Sequence, residues 1–196
     1  LTLALFPLMS NQAQQDRVAL RRTYQLAVKL LVSVAIPTAL LATLFSRELV
    51  LLLGGAQFLP DGATALYLMA WSMPFGWINS ITQYLLISLD QQRALTRAFV
   101  IAVLFNVSAN LLFIPQYGLA AAAIITILSE LVEGLAFQYY LLKQVRAIDW
   151  LQVFGKLGAA GGLAAGLGWL GTQWHPVAGL VLALGVYLVT LRALKL

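Results

Sequence analysis

The sequence predicts an all-α, polytopic transmembrane helix bundle, on three observations: composition, the length of the apolar runs, and the placement of the cations between them. Of 196 residues, 61% are hydrophobic and 10% charged, with a mean hydropathy of +0.87. A globular domain carries roughly 45–50% apolar and about 25% charged residues, so a soluble core does not absorb this surface. The apolar runs are each near the roughly 20 residues that cross about 30 Å of hydrocarbon. At that length they are helices, because only a helix pairs its backbone polar groups within one segment, and the runs lack the alternation of barrel strands.

In chain order, Leu1–Met9 is the tail of one span, with Pro7 placed to bend or end it, and Ser10–Gln25 is a polar segment. Six spans follow, at Leu26–Phe45, Gly62–Leu89, Ala98–Ile114, Leu119–Leu142, Val153–Gly171 and Val177–Leu191. Between the first two, Arg47–Asp61 holds Leu49–Leu53 and then Gly54-Gly55, which predicts a short interfacial helical turn and a break. The chain opens on Leu1-Thr2-Leu3, without an initiator methionine, and reads as the C-terminal part of a longer protein.

Assigning the gaps alternately to two sides places Arg17, Arg21, Arg22, Lys29, Arg93, Arg97, Lys143, Arg146, Lys156, Arg192 and Lys195 on one and Arg47 alone on the other. Eleven cations against one is a strong positive-inside signal, and it predicts a cytoplasmic location for Ser10–Gln25, the Asp90–Arg97 loop, the Lys143–Trp150 loop and the C-terminus. Pro115-Gln116-Tyr117-Gly118 and Gln173-Trp174-His175-Pro176 are outer turns, with Tyr117 and Trp174 at interfacial depth. The cations form no aromatic-interleaved stripe, which argues against nucleic acid as a partner despite a pI near 9.8. With no cysteine and one histidine, no metal site and no cofactor are expected.

Chemistry must come from polar groups inside the spans. Glu130 lies at the midpoint of Leu119–Leu142, and Glu133 shares its face at i, i+3, with Thr126 one turn before. An ionised carboxylate at that depth costs at least about 2.5–3.5 kcal/mol, so it must face the bundle interior or water, be protonated, or hold a cation. Carboxylates this close titrate as a pair, which suits coupling to protons or sodium ions. Ser72, Gly76, Asn79 and Gln83 form a stripe in the second full span, where Pro74 predicts a kink, and Asn106 and Asn110 lie one turn apart in the third. Three such stripes lining one cavity describe a transporter; interhelical hydrogen bonding as structural glue is the competing reading. Gly158, Gly162 and Gly166 repeat every four residues and predict close helix packing.

Several of these features form one ordered series: Phe6-Pro7-Leu8-Met9-Ser10, the basic Arg17–Lys29 segment, Ile36-Pro37, Glu48–Gly54, Asn106–Gly118 with its Ile114-Pro115 and Tyr117-Gly118, the small-residue run Ala120–Ala123, and Ser129-Glu130. In this order the chain resembles the C-terminal half of oligosaccharide flippases in the multidrug/oligosaccharidyl-lipid/polysaccharide exporter superfamily. Leu53 and Ala120 depart from the pattern, where an aromatic residue and a second glycine are usual. The resemblance implies the second lobe of a two-lobe exporter over residues 1–142, its first span truncated, and two additional transmembrane helices over 143–196. It also implies a multi-pass protein of the bacterial inner membrane that is not an enzyme. Its task would be to move polyprenyl-pyrophosphate-linked oligosaccharide or polysaccharide precursors, of the O-antigen or exopolysaccharide kind, by alternating access together with an N-terminal lobe. Under that reading Glu130 and Glu133 are ion-coupling candidates. Ser72, Asn79, Gln83, Asn106, Asn110 and Thr126 line the cavity, and Arg93 and Arg97 attract the pyrophosphate. The alternatives are a cation-coupled multidrug or small-molecule antiporter of the same superfamily, or a membrane-embedded glycan-assembly enzyme. The short, nearly uncharged outer loops disfavour the enzyme.

Overall fold

The computed structural model describes residues 2–144 and 150–193, apart from the side chains of 151–153 and 176; Arg146 and Lys195 lie outside the described residues. These residues are helical, with no strand among them. The first helix, α1 (Thr2–Gln15), continues through Pro7 instead of ending there. Proline forfeits the bond from its own nitrogen to the carbonyl of Leu3, which lies in the first turn, while the later turns are held by burial of Met9 and Ala13.

Only Asp16 separates α1 from α2 (Arg17–Leu44). Its Oδ1 accepts from the N–H of Val18 at 2.8 Å and of Ala19 at 3.0 Å, an N-cap for α2. The expected polar segment Ser10–Gln25 is therefore the end of one helix and the start of the next, and Leu20 and Tyr24 are buried inside it. Its polarity therefore does not mark a loop. Pro37 lies within α2 and cannot donate to the carbonyl of Ser33, and the Tyr187 hydroxyl takes that place, donating to Ser33 O at 3.0 Å.

A short helix, α3 (Ser46–Leu53), ends at Gly54 and leaves Leu52 and Leu53 exposed, in keeping with the expected interfacial turn. The second full span is two helices, α4 (Asp61–Met69) and α5 (Met73–Ser88), joined by a tight turn at Ala70–Ser72. The break falls where Pro74 predicts a kink, and the proline sits in the first turn of α5, where its missing N–H costs nothing.

The third and fourth spans form one helical run, α6 (Gln92–Leu141), folded back on itself at Gly118, whose φ of 59° and ψ of −143° only glycine adopts readily. Asn106 bonds Ser129, and Phe99 meets Phe137 edge-on at 5.7 Å, so the arms 92–117 and 119–141 are antiparallel. The helix starts at Gln92, which corrects the expected Asp90–Arg97 loop: Arg93 and Arg97 are helical, and the connection is Leu89-Asp90-Gln91. The turn expected over Pro115–Gly118 likewise reduces to Gly118.

The last two helices, α7 (Trp150–Thr172) and α8 (Pro176–Ala193), pair closely and lean on α2. The glycines that permit this are not the predicted ones. Gly158, Gly162 and Gly166 have open space around them, whereas a Cβ on Gly171 would lie 2.8 Å from Gly179 Cα and one on Gly161 would lie 2.8 Å from Ile36 Cγ2. A four-residue repeat shows which stripe of a helix permits close approach, but the neighbour's position decides which stripe is used. The main core joins α1, α2, α5 and α7 through Met9, Leu20, Val28, Val32, Leu85 and Leu157.

Candidate functional site

Burial on α5 is set by packing against α2 on one side and α6 on the other. Asn79 faces α6 and is 5% exposed. Its Nδ2 donates to both the backbone carbonyl and Oε2 of Glu130, each at 2.8 Å. An amide nitrogen carries two protons, and both are used. Gly76, one turn earlier on α5, lies against the same carboxylate, so that a Cβ there would be 3.2 Å from Glu130 Oε1. Beside this contact is a cleft of about 200 Å³, walled by Phe75, Asn79, Glu130, Gln138, Trp150 and Phe154. Glu130 thus has a polar partner, which is one of the ways a carboxylate within an apolar helix is accommodated.

A second polar contact ties the arms of α6 together. Asn106 Nδ2 donates to Ser129 Oγ at 2.8 Å, and Asn110 Nδ2 donates to Asn106 Oδ1 at 2.9 Å. Asn110 Oδ1 is buried without a partner among the described residues. Thr126 bonds only to the carbonyl of Ala122 on its own helix, and Ser72 to that of Met69. Gln83 and Glu133 make no hydrogen bond among the described residues. Of the six proposed cavity residues, the structure therefore brings Asn79 to Glu130 and joins Asn106 to Asn110. Ser72, Gln83 and Thr126 join neither group by a hydrogen bond.

Arg93 and Arg97 lie one turn apart on the exposed face of the first α6 arm, beside a cleft of about 530 Å³ that Tyr140 also lines, and neither has an ion-pair partner among the described residues. Ser129, read from sequence only as part of the Ser129-Glu130 motif, was missed as a partner of Asn106, as was a buried contact in which the Tyr24 hydroxyl and Thr82 Oγ1 lie 2.7 Å apart, with Gln138 also bonding Tyr24. Both have a faint signal, a hydroxyl at a helix-facing position within an apolar run. So has Gly134, where a Cβ would be 2.9 Å from Asn79 Oδ1.

The sequence profile of the family Lipid II flippase MurJ matches residues 1–188. Two solved chains match the fold. One of them, a lipid II flippase MurJ in an inward closed conformation, superposes with a TM-score of 0.80 at 15% identity, covering 100% of this chain and 44% of its own. This chain thus spans less than half the length of the flippase it matches. No curated protein sequence matches.

Proposed function

The chain belongs to the lipid II flippase MurJ family, and from that premise we propose that it forms the second lobe of a flippase for lipid-linked saccharide precursors. The observation that carries the proposal is the superposition of the entire chain on 44% of a flippase of that name. Lipid II, the cargo in the family's name, is the first precursor to test, ahead of O-antigen or exopolysaccharide intermediates. The polyprenyl tail stays in lipid while the pyrophosphate-saccharide head enters a cavity between this lobe and an N-terminal one. The lobes open that cavity alternately to each side.

The cation-rich ends face the cytoplasm of an inner membrane, and Arg93 and Arg97 meet the pyrophosphate there as cations. The acidic pair on α6 makes the cavity's facing responsive to an ion, because a ligand shifts a two-state equilibrium only by binding one state more tightly. Glu133, free of hydrogen bonds among the described residues, is the better placed of the pair to exchange a proton or sodium ion.

The test is reconstitution of the intact protein in vesicles holding a fluorescent lipid-linked saccharide, scored by its arrival in the opposite leaflet with and without proton and sodium gradients. Transport is expected, and Glu133→Gln is expected to slow gradient-driven transport about tenfold, equivalent to about 1.4 kcal/mol, with insertion unchanged. Absence of transport by the wild type overturns the flippase reading; gradient-independent transport overturns the ion coupling alone.

A further inference from the structure

The contact between Asn79 and Glu130 is reciprocal. Gly76 and Asn79 on α5 lie three residues apart, and Glu130 and Gly134 on α6 lie four apart, so each helix offers one glycine and one polar side chain on the shared face. Each glycine lies opposite the other helix's polar group: a Cβ on Gly76 would be 3.2 Å from Glu130 Oε1, and one on Gly134 would be 2.9 Å from Asn79 Oδ1. The second distance is shorter than real Cβ contacts, so any other residue at 134 displaces Asn79.

Asn79 also bonds the backbone carbonyl of Glu130, the carbonyl one helical turn before Gly134. A rotamer change at Glu130 therefore breaks only one of its two bonds to Asn79. Sliding either helix by a turn would set a Cβ where a glycine is required.

We infer that Gly76, Asn79, Glu130 and Gly134 form an interlock that fixes the register of α5 against the second arm of α6, so that these two helices move as one body. Glu130 serves this interlock as a hydrogen-bond acceptor of the right size, not as a charge. The bends at Ala70–Ser72 and Gly118 lie outside the interlock, where α4 joins α5 and where the first α6 arm joins the second.

The transport arm of the test rests on the flippase reading; the unfolding arm does not. In the intact detergent-solubilised protein, Asn79→Ala and Gly134→Ala are each expected to lower the thermal midpoint by about 3 °C or more. The double variant should fall no further than the worse single one, because Gly134 is needed only to seat Asn79. Glu130→Gln, which keeps an acceptor, should hold the midpoint, and Glu130→Leu should lose it. Additive losses, or equal losses for glutamine and leucine, overturn the interlock.

For the transport arm, Asn79→Cys with Gly134→Cys replaces the hydrogen bonds by a disulfide in a chain that has no cysteine of its own. The same variant should carry the fluorescent lipid-linked saccharide at least twice as fast oxidised as reduced. The reverse pattern, active when reduced and arrested when oxidised, means that α5 and α6 must part during transport and overturns the inference. A wild type that transports nothing removes the flippase reading, while the unfolding series still decides the interlock.

Discussion

Tyr187 shows how one side chain substitutes for a bond the backbone cannot make. Pro37 leaves the carbonyl of Ser33 without its usual helical donor, and the Tyr187 hydroxyl, itself buried on α8, supplies one at 3.0 Å. Tyr187→Phe should destabilise the protein by about 1–3 kcal/mol, the range for leaving a buried acceptor unsatisfied, read as a lower thermal midpoint. In a Pro37→Ala background the same change should cost about half that or less, because the restored N–H serves the carbonyl; equal costs in both backgrounds would refute the account. Such pairings are invisible in sequence. The i, i+3 spacing of Glu130 and Glu133 placed both on one face, yet Asn79, 51 positions away, reaches only Glu130. Spacing within a helix fixes a direction, whereas a partner depends on which helix lies there and at what height. For that reason Asn79 and Glu130 were legible as candidates, while their contact and the two glycines that seat it were not.

Helices were more legible than their ends. Every apolar run became helix, because the bilayer requirement for internal backbone pairing leaves no other choice. The ends moved because residues such as Arg17–Tyr24 and Gln92–Arg97 are good helix formers whose polarity imitates a loop. The glycines of α7 sharpen the distinction between a pattern and its use. Gly162→Ala should leave stability within about 0.5 kcal/mol of wild type, since none of the described residues comes within 4 Å of the Cβ it would add. Gly179→Ala should separate α7 from α8, because its Cβ would overlap Thr172 and lie 2.9 Å from the carbonyl of Gly168. Cross-linking between cysteines placed on α7 and α8 would measure this, and equal yields in the two variants would show that the hairpin does not depend on that contact.

The packing gathers the cation-rich ends at one face of the bundle. Ser10 and Ser88 lie within hydrogen-bond reach, Tyr24 meets Thr82, and Met9, Leu89 and Leu141 share one core with Trp150 packed against it. Arg17, Arg21, Arg22, Arg93, Arg97 and Lys143 all lie close in sequence to these residues. At the opposite face Thr43 approaches the carbonyl of Tyr67, and α3 carries Arg47. The charge asymmetry read from alternate gaps is therefore also an asymmetry in space, although each gap was assigned without knowing how the helices meet. If that face is cytoplasmic, cysteines placed at Gln14 and Gln144 in intact cells should resist a membrane-impermeant maleimide until the membrane is opened, while one at Gln173, beside the exposed Trp174, should react at once. All three positions are exposed and the chain has no native cysteine, so the labelling has no background from this chain. The reverse pattern would invert the orientation and put Arg93 and Arg97 on the side where cargo leaves. A mixed pattern, with Gln14 and Gln144 on different sides, would contradict the even number of crossings between them, and with it the fold of α6 at Gly118.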